Sequence, residues 1–122
     1  MTACRPLRRF GPTLATIALL AGCGDASGPK AQQNKTVDVF TIGDSFSPAF
    51  ATIDAGDTVR WNFSGGSDGM GHNVRFTPRP TGTPADINVL KTGTASRVFT
   101  TAGDFAYVCD VHPGMNGGVQ VR

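Results

Sequence analysis

Glutamate is absent from this 122-residue chain, and histidine, tryptophan and tyrosine are scarce, with two, one and one copies. All nine acidic residues are aspartates, and they fall mostly at predicted turns and strand ends, where solvated side chains are common. Neither a Ser-His-Asp arrangement nor a lysine-containing phosphate loop is present. The formal net charge of +2 is too small to indicate a nucleic-acid partner. These absences leave no pattern for acid/base, nucleophilic or phosphate chemistry.

The chain also lacks an apolar run long enough to cross a bilayer, which takes about 20 residues. The short run TLATIALLAG (residues 13–22) follows Arg5, Arg8 and Arg9. A basic start, a short apolar run and small residues at its end are typical of a secretory signal. The alternative is a buried core helix, which the clustered arginines, Gly11 and Pro12 fit poorly.

The end of this run reads LAGC (residues 20–23) and resembles the lipobox of bacterial lipoproteins. The resemblance implies a signal peptide over residues 1–22, lipidation of Cys23 and a flexible tether over residues 23–35. The protein would then be exported and anchored to a membrane by its lipid, facing the periplasm or the cell exterior. Ordinary signal cleavage is the alternative. It would leave Cys23 as a free thiol, and a disulfide with Cys109 would remain open.

Loss of residues 1–22 would change both the charge and the cysteine count. Three arginines and Cys4 would leave with the signal peptide, so the formal net charge would become about −1. With Cys23 lipidated, Cys109 would stand alone. A lone cysteine in an exported protein needs an explanation other than a disulfide.

From Thr36 onward the sequence predicts an all-β domain, residues 36–122, with no segment of helical period. Val59, Trp61 and Phe63 alternate with polar residues. Four further segments are predicted as strands on the same grounds: residues 36–42, 72–76, 96–100 and 104–109. Residues 118–122 close the chain, and residues 87–90 form a short strand or turn in a Pro-rich connection. Six to eight short strands predict a Greek-key β-sandwich or barrel.

The segment YVCDVHPGM (residues 107–115) places Cys109, His112 and Met115 three residues apart at the end of a predicted strand. The second histidine, His72, opens another strand. Zinc seldom accepts a thioether, and calcium and magnesium prefer oxygen ligands. Two imidazoles, one thiolate and a weak axial thioether form the type 1, or blue, copper arrangement. Met70, two residues before His72, is the competing thioether.

From about Val37 to Arg122 the chain resembles the cupredoxins. The residues that carry the resemblance are FSPAFATIDAGDTVRWNF (46–63), GHNV (71–74) and FTTAGDFAYVCDVHPGMNGGVQV (99–121). The Cys-x2-His-x2-Met spacing is similar to amicyanin, whereas plastocyanin and pseudoazurin have a longer His-to-Met gap. The resemblance implies one copper ion.

The resemblance also implies a role for each residue. Cys109, His72 and His112 would bind the metal, and Met115 would be the axial ligand. Asn73 would join the two ligand loops by hydrogen bonds. His112 would provide a partly exposed edge through which electrons pass. The family layout also suggests a docking patch near that edge, made of Phe46, Pro48, Pro113 and Gly114.

The sequence therefore predicts a monomeric type 1 copper protein that carries single electrons between redox proteins at the cell envelope, such as a cytochrome, an oxidase or a reductase. It predicts no enzymatic activity, because four protein ligands leave no open metal position for a substrate. A copper carrier or buffer that delivers copper to an oxidase is the main alternative. A dedicated electron donor to one enzyme and a binding module without redox chemistry also remain open.

Overall fold

The computed structural model describes residues 31–122, which contain nine β-strands and no helix. The predicted signal peptide, Cys23 and the tether up to residue 30 lie outside the described residues. Within residues 31–122, no helix is long and apolar enough to cross a membrane. The strands, in chain order, are β1 (Thr36–Ile42), β2 (Ser45–Ser47), β3 (Phe50–Ile53), β4 (Thr58–Phe63), β5 (His72–Phe76), β6 (Ile87–Leu90), β7 (Gly93–Val98), β8 (Gly103–Val108) and β9 (Asn116–Val121).

The strands form two sheets that together make a β-sandwich. One sheet has the order β2-β1-β4-β7 and the other has the order β3-β9-β8-β5-β6. Each sheet mixes directions, because β1 lies parallel to β4 and β3 lies parallel to β9, while the other pairs are antiparallel. The all-β sandwich predicted from the sequence is therefore confirmed.

The alternation of apolar and polar residues explains which face of each strand is buried. In β4, Val59, Trp61 and Phe63 are buried between the sheets, and Arg60 on the opposite face is exposed. The bounds of β1, β5 and β6 coincide with the predicted segments. The strand predicted at residues 96–100 corresponds to β7, which begins earlier, at Gly93. The sequence did not reveal this start because Gly93 and Thr94 carry no large apolar side chain.

The described part of the chain, residues 31–122, has nine strands, one more than the upper end of the predicted number. The two segments without a separate strand prediction are β2 and β3, which have three and four residues. Segments this short carry little periodicity, and their strand pairing depends on distant partners. The partner of β2 is β1, and the partner of β3 is β9 at the other end of the chain.

Aromatic side chains fill the centre of the sandwich. The Tyr107 ring packs edge-on against Phe46 and Trp61, with centroid separations of 4.9 and 5.5 Å. Edge-to-face pairs of this kind contribute about 0.5–1.5 kcal/mol beyond the burial of their area. Gly117 leaves the space that the Tyr107 ring occupies, because a Cβ atom there would lie 2.4 Å from the ring. The core therefore ends, toward β9, in a close contact between a strand backbone and an aromatic ring.

The sheet topology brings three chain segments to one end of the sandwich. The strand β5 begins there with His72, β8 ends there one residue before Cys109, and β9 begins there one residue after Met115. The pairing of Val108 with Asn116 closes the connection between β8 and β9. The residues predicted as metal ligands are thus gathered by the fold.

Candidate metal centre

The loop from Cys109 to Met115 is closed by backbone hydrogen bonds. The Cys109 N–H donates to the Met115 carbonyl at 2.9 Å, and the Met115 N–H donates to the His112 carbonyl at 3.1 Å. Gly114, with a φ of 87°, makes the reversal that the second bond requires. The return to β9 is therefore short, and Cys109, His112 and Met115 are buried at this end of the sandwich.

His72 lies at the same end of the sandwich as this loop, at the start of β5. It follows Gly71, where the backbone φ is 87° and a Cβ atom would lie 2.7 Å from the Leu90 carbonyl oxygen. Only glycine combines this conformation with so close an approach to the neighbouring strand. The pairing of His72 with Leu90 then fixes the histidine, which is fully buried, at the first position of β5.

The donor atoms of His72, Cys109 and His112 all lie within 4.8 Å of one another, and all three residues are buried. The Cys109 Sγ atom lies 3.9 Å from Nδ1 of His72 and 3.7 Å from Nδ1 of His112. A sulfur and a nitrogen that share one small metal ion, at about 2.3 Å and about 2.0 Å in a plane, lie roughly 3.7 Å apart. The three side chains therefore fit a single trigonal metal ion without rearrangement.

The surroundings favour the metal-binding form of Cys109. Burial raises the pKa of the thiol, but the backbone N–H of Asn73 and the groups of His112 that face the sulfur lower it by more, so the pKa lies below its ordinary value. The thiolate is the form that binds metals. Cys109 is a free thiol in the structure.

The two histidines differ in their electrostatic surroundings. Burial lowers the pKa of His72, and the neighbouring His112 lowers it further, so the neutral imidazole is favoured. Contacts with Cys109 and Asp68 raise the pKa of His112 instead. A metal ion at His112 binds the lone pair of Nδ1 and competes there with a proton. Metal affinity therefore rises with pH until the His112 ring is neutral.

The two candidate thioethers lie in very different places. Met115 is 2% exposed and packs with the core, whereas Met70 is 57% exposed. A thioether on the surface cannot serve a buried centre without movement of its loop. The structure therefore favours Met115 over Met70 as the fourth donor.

Asn73 connects the two segments that carry the donors. Its side-chain amide donates to the Asp110 carboxylate at 2.8 Å, and its side-chain oxygen accepts the Asp110 backbone N–H at 2.7 Å. Arg75 donates to the other carboxylate oxygen at 2.7 Å. These hydrogen bonds join the segment of Asn73 to that of Asp110, and the sequence prediction missed both Asp110 and Arg75.

The structure describes the surroundings of the expected electron-transfer edge and corrects one member of the expected docking patch. His112 is only 8% exposed, because the loop of residues 64–71 lies against its Nε2 edge. Phe46 is 5% exposed and packs on Tyr107, so it cannot belong to a docking patch. Pro48, Pro113 and Gly114 are exposed. Phe46 fails because it points inward from β2, a strand that the sequence did not reveal.

Two aspartates at the centre were also missed. Asp68 Oδ1 lies 3.2 Å from Nε2 of His112, and Asp44 Oδ1 lies 3.5 Å from the same atom. The sequence pattern predicts solvated turn or strand-end residues at both positions. The only signal in the sequence was the position of Asp68, four residues before His72. This signal becomes informative only because the fold places His112 against the loop of residues 64–71.

A buried Cys and two buried His on a β-sandwich, with a buried Met in the same loop, define a small type 1 copper protein. A sequence model described as "Copper binding proteins, plastocyanin/azurin family" matches residues 37–122. The chain belongs to this family, and its cofactor is copper.

Individual relatives agree with this placement. The chain is similar to "Plastocyanin, chloroplastic" of Tetradesmus obliquus, with 30% identity over 125 residues that cover 92% of this chain and 83% of the relative. It is also similar in structure to a reduced Cu(I) form of an amicyanin variant at pH 4, with 30% identity, a TM-score of 0.60 and coverage of 71% of this chain and 82% of the other.

A third similarity involves a larger protein, the copper-containing nitrite reductase NirK of Thermus scotoductus SA-01. The identity is 25% and the TM-score is 0.61, over 71% of this chain. The chain spans only 22% of that enzyme's length. The likeness therefore concerns one domain-sized part of the reductase.

Proposed function

We propose that the protein is a type 1 copper electron carrier, which accepts one electron from a redox protein and passes it to another. The observation that carries the proposal is the buried cluster of Cys109 Sγ and the two histidine Nδ1 atoms, with separations of 3.7 and 3.9 Å. When bound there, copper supplies a centre that gains and loses a single electron. The relatives named plastocyanin and amicyanin support electron transfer as the role of this chain.

Each donor residue contributes a separate property to the centre. His72, Cys109 and His112 would hold the copper through their closely spaced donor atoms, and Met115 would be a weak fourth ligand. Because the fold holds these three donors in place, little rearrangement is needed when the oxidation state changes. Asn73 would keep the ligand-bearing segments in register through Asp110.

The proposed protein is a carrier and not an enzyme, because four protein donors leave no open position for a substrate. A copper carrier that delivers the metal to an oxidase is a less suitable role. Delivery requires rapid exchange, whereas the three closely spaced donors are 0–8% exposed. The NirK similarity does not supply an active site to this chain, because it covers a minor part of that enzyme.

We further propose that the protein works outside the cytoplasm as a lipid-anchored monomer. Residues 13–22 and the LAGC segment at residues 20–23 support export and lipidation at Cys23. The plastocyanin relative supports an exported location. A cytochrome, an oxidase or a reductase at the cell envelope would be the redox partner.

The first experiment is the visible absorption spectrum of the purified protein after addition of Cu(II). We expect an intense blue band that a mild reductant bleaches and an oxidant restores. Cys109→Ser should abolish the band, because the colour depends on the thiolate, and the metal-free protein serves as the blank. A blue Cys109→Ser variant would overturn the ligand assignment. A colourless wild-type protein that retains copper would favour copper carriage over electron transfer.

A further inference from the structure

The Nε2 edge of His112 faces a carboxylate instead of open solvent. Asp68 Oδ1 lies 3.2 Å from Nε2, and His112 is 8% exposed. Gly66 lies against the same edge of the ring, so closely that a Cβ atom there would be 2.7 Å from Cε1 and 2.8 Å from Nε2. The loop thus covers the outer edge of the imidazole and brings Asp68 to its nitrogen as the nearer of two carboxylates, since Asp44 Oδ1 lies 3.5 Å from the same atom.

We propose that Asp68 is a positioning residue for the copper centre. Its carboxylate accepts the Nε2–H of His112, which orients the ring, fixes its tautomer and places a negative charge beside it. The inference rests on the proposed function, and it assigns a role to a residue that is not itself a metal ligand.

The tautomer follows from the partners of the two ring nitrogens. A neutral imidazole carries one N–H, and a carboxylate can only accept a hydrogen bond. The proton must therefore lie on Nε2, toward Asp68, which leaves the lone pair of Nδ1 directed at the cluster. The Nδ1 atom lies 3.7 Å from Cys109 Sγ, on the side where the metal would bind.

The loop that carries Asp68 is itself held in place. Ser67 donates two hydrogen bonds to Asp44, one from its hydroxyl at 2.6 Å and one from its backbone N–H at 3.1 Å. The Met70 N–H donates to Asp68 Oδ1 at 2.8 Å. The Asp68 carboxylate is therefore oriented by the loop before it contacts His112, as a positioning group requires.

The charge of Asp68 has a consequence that its hydrogen bond alone would not have. A negative charge close to the imidazole favours the more positive, oxidised state of the metal. Asn at this position would keep an acceptor and remove the charge, whereas Ala would remove both. Because the Asp68 side chain is 46% exposed, solvent reduces the effect. We expect loss of the charge to favour the reduced state about threefold to tenfold, or roughly 30–60 mV.

The first test uses the Cu(I) form, which is diamagnetic, and follows the histidine Nε2–H protons by NMR. We expect the His112 Nε2–H to be protected from exchange in the wild type, retained in Asp68→Asn and lost in Asp68→Ala. The Nε2–H of His72 is an internal control, because that atom is buried away from solvent. Its signal should not change in either variant.

The second test measures the midpoint potential. Asp68→Asn and Asp68→Ala should both raise the midpoint potential by roughly 30–60 mV. Asp104→Asn should change it by less than a third as much. Asp104 is an exposed aspartate at the start of β8, at the end of that strand away from Cys109. Gly66→Ala is a second variant that leaves Asp68 intact, and its methyl group should displace the ring and expose the Nε2–H to exchange.

The outcomes separate this inference from the proposed function. Blue, reversible variants whose Nε2–H protection and potentials equal those of the wild type would overturn the role of Asp68 and leave the electron carrier standing. A wild-type protein that never develops the blue band would overturn both. A changed potential in Asp104→Asn equal to that in Asp68→Asn would show a general charge effect and would also reject a specific role for Asp68.

Discussion

Asn73 and Asp110, which directly follow two of the candidate metal ligands in sequence, exchange hydrogen bonds in both directions. The Asn73 amide donates to the Asp110 carboxylate at 2.8 Å, and the Asp110 backbone N–H donates to the Asn73 side-chain oxygen at 2.7 Å. Asn73 directly follows His72, and Asp110 directly follows Cys109. The pair therefore joins the two donor-carrying segments at the positions that directly follow His72 and Cys109.

Asn73→Ala should loosen this coupling. The Asp110 N–H and carboxylate each lose a partner, so we expect the free energy of unfolding to fall by about 1–2 kcal/mol. The absorption band of the copper form should also shift or broaden, because Cys109 is less firmly held. Chemical denaturation and visible spectroscopy measure the two effects. Asn88→Ala, at an exposed position of β6, is the control. Equal effects of the two substitutions would contradict the role of Asn73.

Met115→Leu should retain copper and raise the reduction potential. Leucine fills a similar volume but donates no electrons, so the oxidised state loses its axial ligand. We expect a rise on the order of 60 mV, which corresponds to a tenfold change in the preference for the reduced state. Cyclic voltammetry measures the change. Met70→Leu is the matched control, since Met70 is 57% exposed. If Met70→Leu moved the potential and Met115→Leu did not, the two thioether assignments would have to be exchanged.

Gly117→Ala should destabilise the fold through the Tyr107 ring. The new methyl group would lie 2.4 Å from the ring, and a packed core has no room to move the ring aside. Overpacking of this kind costs about 1–3 kcal/mol. Gly65→Ala is the control, because its nearest neighbours would lie 3.9 Å away. Denaturant unfolding measures the free energy of unfolding of both variants. Equal stabilities would refute the close contact between Gly117 and Tyr107.

Cys23→Ala should release the protein from membranes. The substitution removes the proposed site of lipid attachment, and acyl chains contribute about 0.8 kcal/mol of membrane affinity for each buried CH₂ group. Fractionation of cells that express the protein measures the distribution between membrane and soluble fractions. Cys4→Ala, within the predicted signal peptide, should remain in the membrane fraction. Persistent membrane retention of the Cys23 variant would place the anchor elsewhere.

The donor set was predictable because it depends on local spacing and on donor chemistry. Cys109, His112 and Met115 lie three residues apart, and their side chains together suit copper better than zinc or calcium. The long β-strands were predictable for a similar reason, since alternation over five or more residues shows which face is buried. In β4, Val59, Trp61 and Phe63 alternate with polar residues, and the structure has all three buried, Trp61 fully.

The surroundings of the metal centre could not be predicted in the same way. Asp44 and Asp68 are separated from His112 by 68 and 44 residues, and Phe46 turns inward on a strand of only three residues. The contacts of these side chains depend on strand pairing across the chain, which no local pattern encodes.

By itself, the sequence determined the class of fold, the candidate donors and the preference for copper. These properties follow from side-chain chemistry and short-range periodicity. Only the tertiary structure decided that His72 meets Cys109 and His112 within 4.8 Å, that Met115 is buried while Met70 is exposed, and that a carboxylate faces the outer edge of His112. These relationships arise when two sheets pack and bring distant segments to one end of the sandwich.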